Sequence, residues 1–355
     1  MMTAIYPWQQ DAWRQLQALR VRMPHAILFH GAGGIGKADF IEAFAQSLLC
    51  ENVQADGHAC GVCASCGWFA QHNHPDYRRV RPEALEDEPA ADGADAEAGD
   101  GEKKSGAKSK APSKDIKIEQ IRALADFMNI STHRQGLRVV VLYPAEALNT
   151  PASNALLKTL EEPPPGTVFL LASNSLERLL PTILSRCRKF ALPLPSHADA
   201  LAWLETQGVA DADGWLREQG GAPLAALAQS HIGNRDELDS LLQVLARPTV
   251  ESALKAADKL SKGSLPSLVA WQQRWLYDIF ALKLSGTIRY YPRYHAELTV
   301  LAGKVPAANL LRAIKHANAR RAVAEHPLSP KLFVEDMLLD YTECCGGTGR
   351  RAGPN

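Results

Sequence analysis

The sequence has no excess of charge of either sign and no long apolar run. It contains 39 basic and 39 acidic residues, so its formal net charge is zero and gives no indication of nucleic-acid binding. No stretch approaches the roughly 20 apolar residues that a membrane-spanning helix needs. Residues 1–8 lack a basic segment followed by an apolar one. We therefore expect no secretory signal and a cytoplasmic protein.

Cysteine is scarce but clustered. Four of the seven cysteines follow the spacing C-x9-C-x2-C-x2-C, and an intracellular chain uses such thiols for metal binding more often than for disulfides. Four soft ligands at these spacings are typical of a tetrahedral zinc site, and four protein ligands make such a Zn2+ ion structural. A redox dithiol would account for two of the cysteines but not for four. The predicted ligands, called here the cysteine cluster, are Cys50, Cys60, Cys63 and Cys66.

Other residues near the cysteine cluster have no predicted role as ligands. We expect its neighbouring histidines to be surface residues, and the three remaining cysteines lie too far along the chain. These residues are His58, His72, His74, Cys187, Cys344 and Cys345.

Short apolar runs alternate with helical patterns in the first half of the chain. This alternation predicts a parallel α/β sheet. The predicted buried strands are residues 25–30, 137–142 and 167–172, and the predicted helices are residues 37–49 and 152–161.

From residue 194 onward the pattern is helical only. We predict a first domain over residues 1–193, a small helical domain over 194–236 and a helical domain over 237–345. A stripe of Trp271, Trp275 and Ile279 is expected to serve core or subunit packing. A flexible tail is expected over residues 346–355, which are rich in Gly and Arg.

Residues 84–115 interrupt the alternating pattern. They are rich in Ala, Asp, Glu, Gly, Lys and Ser, and they contain almost no large apolar side chains. Such a segment cannot bury enough surface to offset its loss of conformational entropy. We predict a disordered insertion, for which a solvated loop is favoured over a partner-binding arm.

A glycine-rich segment, residues 31–37, follows the first predicted strand and precedes a helix. This placement is typical of a P-loop, in which glycine amides surround phosphate oxygens and a lysine reaches the outer phosphates. The hydroxyl residue that would hold magnesium is replaced by Ala38. Nucleotide binding and a purely structural turn both remain open. The candidate nucleotide-binding residues are Gly31, Gly33, Gly34, Gly36 and Lys37.

The acidic residues needed for hydrolysis are also missing from their expected position. The strand predicted over residues 137–142 ends in Tyr143 and Pro144, and Glu146 lies beyond it. Efficient phosphoryl transfer to water needs a carboxylate at such a strand end to hold the metal and orient water. We therefore expect no intrinsic ATPase activity, although nucleotide could still bind through Lys37.

Three segments resemble a known family. They are PTILSRC at residues 181–187, NALLKTLEEPP at 154–164 and HPLSPKLFVED at 326–336. Together with the glycine-rich segment and the cysteine cluster, they resemble the clamp-loader subunits of bacterial DNA polymerase III, which are AAA+ proteins. The resemblance covers nearly the whole chain apart from residues 84–115 and the last residues. It implies an α/β AAA+ domain with a zinc module, a small helical domain and an all-α collar domain.

Within this family the chain resembles the non-hydrolysing branch more than the motor subunits gamma and tau. The motors have Ser or Thr where this chain has Ala38, an Asp-Glu pair near Tyr143, and an arginine where Leu224 stands. The resemblance implies a pentameric ring with gamma or tau and delta, which loads a sliding clamp on primed DNA. Arg186 would then be an arginine finger acting on a neighbour's ATP, and its alternative role is an interface ion pair. Ser185 positions the turn.

Two other functions compete with this interpretation. An active motor ATPase of the gamma or tau type is disfavoured by Ala38 and by the missing acidic pair. A zinc-dependent nucleic-acid-binding module would explain the cysteines alone. The residues flanking them, at 57–59 and 67–69, provide few of the arginines that such a module uses.

Overall fold

A computed structural model describes residues 5–86, 112–129, 132, 136–232, 235–324 and 329–346. The chain divides into two compact units, Met1–Asp199 and Ala200–Asn355. The second unit contains two separate hydrophobic cores, one around Trp215 and one around Trp275.

The first unit is built on a five-stranded sheet in which every neighbouring pair is parallel. The strand order is β2-β3-β4-β1-β5. This confirms the predicted parallel α/β sheet and places β1 between β4 and β5. The strands are β1 (Ala26–His30), β2 (Tyr77–Val80), β3 (Arg138–Leu142), β4 (Thr167–Ser173) and β5 (Arg188–Ala191).

The central strands were predictable and the edge strands were not. Strands β3 and β4 are buried along their whole length, and their apolar runs are typical of a sheet covered on both faces. Strands β2 and β5 lie at the edges and read YRRV and RKFA. Charged residues are common on edge strands because they oppose pairing with other chains, and here they hide the strand pattern.

The helices of the first unit connect successive strands. The predicted helix 37–49 is confirmed as α2, and the helix predicted over 152–161 begins two residues earlier, as α5. The helices are α1 (Gln10–Ala18), α2 (Lys37–Leu49), α3 (Ala64–Ala70), α4 (Ile118–Asn129), α5 (Thr150–Glu161) and α6 (Pro181–Arg186).

The second unit is helical throughout its described residues, and α7 continues into it from the first unit. Its larger core buries the predicted stripe, since Trp271, Trp275 and Ile279 are each less than 4% exposed. Trp275 Nε1 donates to Tyr341 Oη at 2.9 Å. The helices are α7 (His197–Thr206), α8 (Ala212–Glu218), α9 (Pro223–Ile232), α10 (Arg235–Ala246), α11 (Val250–Leu260), α12 (Leu265–Ser285), α13 (His295–Lys304), α14 (Ala307–Val323) and α15 (Pro330–Cys345).

Among the helices that the structure describes, none is both long enough and apolar enough to cross a membrane. Most of the predicted insertion, residues 87–111, lies outside the described residues, as do 326–328 of the third family segment and 347–355 of the predicted tail.

The two ends of the predicted insertion are ordered, which corrects its predicted limits. The backbone N–H of Ala84 donates to Ser113 O at 3.0 Å, and the N–H of Ser113 donates to Glu83 Oε2 at 3.0 Å. Lys117 Nζ lies 2.7 Å from Glu83 Oε1. These contacts join residues 83–86 to residues 112–117. The two ends of the insertion are therefore held next to each other.

Candidate functional site

The glycine-rich segment connects β1 to α2 at the carboxyl edge of the sheet, where parallel α/β proteins bind ligands. Gly36 has a φ of 83°, a left-handed conformation that favours glycine. Gly31 cannot carry a side chain, because a Cβ there would lie 2.2 Å from the carbonyl oxygen of Leu192. Gly31 and Gly36 thus have steric reasons to be glycine whether or not a nucleotide binds.

The ammonium group of Lys37 is fully occupied by its own chain. Its Nζ donates to Gly31 O at 3.1 Å, to Ala32 O at 2.5 Å and to Asn174 Oδ1 at 2.6 Å. An ammonium has three N–H donors, so none is left for a phosphate without a rearrangement. Burial also lowers the pKa of Lys37 to about 8.

Sequence reasoning missed Asn174 beside Lys37, and it named Glu146 without bringing it to this site. Asn174 follows directly after β4, and its backbone N–H donates to Glu146 Oε1 at 3.0 Å. The second carboxylate oxygen of Glu146 is buried with no hydrogen-bond partner among the described residues. The strand order explains both positions, since β4 lies directly beside β1 and β3 is the next strand, so their carboxyl ends share one edge with that of β1. An acidic residue therefore does approach the glycine-rich segment, from the turn after β3.

Residues near the start of the chain cover the glycine-rich segment. Ile35 O accepts hydrogen bonds from Trp8 Nε1 at 3.0 Å and from Gln9 Nε2 at 2.9 Å. The ring of Tyr6 lies so close to Gly36 that a Cβ there would come within 2.4 Å of it. Tyr6 is held in turn by Asp39, to whose Oδ2 its hydroxyl donates at 3.1 Å. The segment is therefore packed on one side by fixed aromatic and amide groups.

The cysteine cluster comes together in space as predicted. The four sulfur atoms all lie within 4.8 Å of one another, and Cys50 and Cys63 are 4.0 Å apart. A tetrahedral ion with metal–sulfur bonds of about 2.3 Å would set the sulfurs about 3.8 Å apart. The ligand set and its spacing fit one tetrahedral metal ion.

Backbone amides point at the sulfur atoms of the cysteine cluster. Cys60 N–H donates to Cys50 Sγ at 3.2 Å, and Cys63 N–H donates to Cys60 Sγ at 3.4 Å. Amide donation lowers the pKa of Cys60 to about 6, whereas burial raises the pKa of Cys50 and of Cys66. A bound cation is what would make all four sulfurs thiolates together.

His74 is buried, which corrects the prediction that it is a surface residue. It is 2% exposed, and its Nε2 lies 2.8 Å from Ser65 Oγ. Ser65 Oγ in turn donates to Leu49 O at 2.5 Å, and the N–H of Asp76 donates to His74 Nδ1 at 3.0 Å. Ser65 thus links the helix that carries Cys66 to the end of α2, and His74 links Ser65 to the segment just before β2.

Arg186 lies at the amino edge of the sheet, because α6 ends there and β5 begins two residues later. Its guanidinium donates to Glu161 Oε1 and, at 3.0 Å, to Thr182 O. Ile183 and Cys187 are buried on the same short segment, and burial raises the pKa of Cys187 to about 11, so that thiol is an inert anchor. The arginine is therefore presented outward from a fixed base.

Ser185 is an exposed residue whose Oγ donates to Thr182 O at 2.9 Å. It also lies 3.4 Å from Arg186 Nη1. Its proton is directed to a carbonyl of its own helix, which agrees with the predicted positioning of the turn.

The chain is similar to characterised replication proteins. A family model described as DNA polymerase III, delta subunit, matches residues 8–196. The DNA polymerase III subunit delta' of Pseudomonas aeruginosa is 36% identical over 293 residues, covering 80% of this chain and 80% of that protein. The Escherichia coli subunit delta' is 33% identical and covers 68% of this chain and 65% of its own length.

The chain is also similar to proteins with the names of other DNA polymerase III subunits. The tau subunit of Bacillus subtilis is 26% identical over 64% of this chain and 34% of its own length. A gamma subunit-related protein of Thermotoga maritima has a TM-score of 0.42 at 17% identity, covering 94% of this chain and 99% of that protein. The family model and the delta' relatives agree on one assignment: the chain belongs to the DNA polymerase III delta' subunit family.

Proposed function

We propose that this chain is a non-hydrolysing subunit of the DNA polymerase III clamp loader that supplies Arg186 to a neighbouring subunit's ATP. One observation carries the catalytic part of the proposal. Arg186 lies at the amino edge of the sheet, whereas the chain's own glycine-rich segment lies at the carboxyl edge.

The separation of the two edges excludes action on the chain's own nucleotide. Strand β1 has five residues, and at about 3.3 Å per residue the two edges are about 16 Å apart. The β1–β5 register pairs Ile27 with Arg188, so Arg186 lies before the first paired residue. An arginine at this edge can serve as a finger only in trans. There its guanidinium would stabilise the negative charge that develops on a transferred phosphoryl group.

The carboxyl edge supports the absence of hydrolysis. Lys37 is engaged by three oxygen atoms of its own chain, and Ala38 has no oxygen for magnesium. Tyr143 and Pro144 stand where the motor subunits carry acidic residues. A P-loop ATPase needs both the metal-binding hydroxyl and the acidic group. The chain thus lacks two of the parts that the reaction requires.

An active motor of the gamma or tau type is the second candidate, and Glu146 favours it. The negative charge of its carboxylate raises the pKa of Lys37 and so opposes the effect of burial. One of its oxygens has no hydrogen-bond partner among the described residues. Against this, Glu146 is fixed by the Asn174 amide and belongs to the turn after the strand end. We therefore favour the non-hydrolysing subunit.

We propose Zn2+ as the ion of the cysteine cluster. Four thiolates at these spacings are the usual ligands of structural zinc, and all four positions are filled by the protein. The cluster lies between the end of α2 and the start of β2, in a stretch with one short helix. Zinc would fix this stretch against the sheet.

The second unit would provide the contacts with other subunits. We propose that residues 194–236 are the small helical domain and that residues 237–345 are the collar, which packs into a ring with gamma or tau and delta. The two separate hydrophobic cores of this unit support such a division. Clamp and primed DNA would be engaged through the assembled complex.

Clamp loading on primed DNA tests the proposal. The complex would be reconstituted from motor subunits, delta and this chain, either wild type or with Arg186→Ala or Arg186→Lys. We expect both variants to assemble and to load clamps more slowly, because lysine lacks the planar fork of guanidinium donors. Unchanged loading by a fully assembled Arg186→Ala complex would contradict the proposal.

A further inference from the structure

The guanidinium of Arg186 is held by groups of its own chain on two different helices. Nη1 donates to Thr182 O, on the same helix α6, at 3.0 Å, and it lies 3.4 Å from Ser185 Oγ. Nη2 donates to Glu161 Oε1, on helix α5. Among the described residues, Nε has no hydrogen-bond partner. Nη1 and Nη2 are thus held by the chain, and Nε can still donate a hydrogen bond to another group.

The carboxylate that holds Arg186 has a rigid support. Glu161 is the last residue of α5, and on this helix Leu156 and Leu160 are fully or almost fully buried. The helix of Arg186 is anchored by Ile183 and Cys187, both buried. Helices α5 and α6 pack against each other in the same hydrophobic core. The two ends of the ion pair therefore stand on fixed backbone.

From this geometry we propose that Glu161 is a positioning residue for Arg186, which it holds ready for the phosphate of a neighbouring subunit's nucleotide. This inference rests on the proposed function of Arg186. A free arginine side chain samples many rotamers, and each transfer would have to order it again. Ordering the side chain beforehand removes part of that entropic barrier.

The expected size of the effect follows from the exposure of the pair. The side chain of Arg186 is 33% exposed and that of Glu161 is 48% exposed, so solvent screens their attraction. Exposed ion pairs of this kind change equilibria by about 1.5- to fivefold. We expect the loss of Glu161 to lower the contribution of Arg186 by that factor and not to abolish it.

The adjacent acidic residue provides a matched control. Glu162 has the same charge and is also exposed, but it bonds through its backbone N–H, which donates to Lys158 O. Glu162→Ala removes one negative charge from the same place without touching Arg186. Any effect of net charge at this edge of the sheet would appear in this variant too.

The experiment measures the clamp- and DNA-stimulated ATPase of the reconstituted complex. The variants are Arg186→Ala, Glu161→Ala, Glu161→Gln, Glu162→Ala and the Arg186→Ala/Glu161→Ala double variant. The difference in kcat between wild type and Arg186→Ala defines the share of the rate that depends on Arg186. We expect Glu161→Ala to remove between about one third and four fifths of that share, with the KM for ATP unchanged.

Glu161→Gln and the double variant separate positioning from a structural role. Glutamine keeps an oxygen acceptor for Nη2, so Glu161→Gln should retain more of the share than Glu161→Ala. In the Arg186→Ala background, Glu161→Ala should have no further effect, since it acts only through the arginine. Glu162→Ala should match wild type.

Three results would overturn the inference, and they are distinguishable. If Arg186→Ala leaves the rate unchanged, the proposed function fails and this inference fails with it. If Arg186→Ala lowers the rate but Glu161→Ala has the same rate as wild type, only the positioning role is wrong. If Glu161→Ala lowers the rate equally in the Arg186→Ala background, the residue acts through the fold and not through Arg186.

Discussion

The two edges of the sheet in the first unit differ in how their charged side chains are bonded and exposed. At the carboxyl edge, Lys37 is bound by three oxygens of its own chain, and Tyr6 and Trp8 pack over the glycine-rich segment. At the amino edge, Arg186 points outward from a buried base and keeps part of its guanidinium available. The carboxyl edge is closed by contacts within the chain, and the amino edge carries a partly exposed arginine.

Two glycines at the carboxyl edge are explained by packing within the chain. Leu192 leaves no room for a side chain at Gly31, and Tyr6 leaves none at Gly36, which is a packing reason and not a catalytic one. The cysteine cluster lies beyond the end of α2 and is separate from both edges' charged groups in sequence.

The largest expected effect is at the amino edge. Arg186→Ala should slow hydrolysis at the one neighbouring site it faces by about a thousandfold, with nucleotide binding less affected. The total ATPase rate of the complex would fall by the fraction that this one site contributes. Arg188→Ala, which removes an exposed arginine two residues away, is the control and should leave the rate unchanged. Equal losses in the two variants would show that general charge, not a finger, is responsible.

Loss of the metal should come next. Cys66→Ser removes one of four ligands and should release the ion and lower the free energy of unfolding by more than about 2 kcal/mol. Metal analysis and urea unfolding of the purified chain measure both effects. Cys187→Ala, at a buried cysteine outside the cluster, should retain one zinc per molecule. A metal-free, fully folded protein that is insensitive to Cys66→Ser would contradict the zinc assignment.

Removal of the insertion should have a small effect. Its base is closed by the hydrogen bond from Ala84 N–H to Ser113 O, so a short Gly-Ser linker can replace residues 87–111. We expect the free energy of unfolding to change by no more than about 0.5 kcal/mol and the complex to assemble normally. Thermal melting and co-purification with the partner subunits test this. A large drop in either would mean that the segment packs against something.

At the carboxyl edge we expect no effect on catalysis at all. The isolated chain should release phosphate from ATP at the background rate, and Lys37→Ala should leave that rate unchanged because the ammonium is already engaged within the chain. A phosphate-release assay with zinc-loaded protein is sufficient. Turnover near one per second that Lys37→Ala abolishes would show instead that the chain is a motor.

The sequence predicted the buried part of the fold and the local motifs. Strands β1, β3 and β4 were recognisable because both of their faces are buried, and the cysteine cluster because its ligands are close in sequence. Strands β2 and β5 were missed, since edge strands carry charged residues that break the apolar run.

What the sequence could not provide was the set of contacts between distant segments. Asn174 is 137 residues from Lys37, and Glu161 is 25 residues from Arg186. Neither residue belongs to a motif that marks its role, and only the strand order and the packing of α5 on α6 bring each to its partner. The prediction that an acidic group is absent was correct for positions 143–144 and incomplete for Glu146, which approaches from the following turn.

The most direct test of the contrast between the two edges compares Lys37→Ala with Arg186→Ala in the same reconstituted clamp loader. Both complexes are assembled to the same purity, and their ATPase is measured with clamp and primed DNA. We expect the Lys37→Ala complex to match wild type and the Arg186→Ala complex to lose the rate of one site. A loss with Lys37→Ala and none with Arg186→Ala would contradict this expectation.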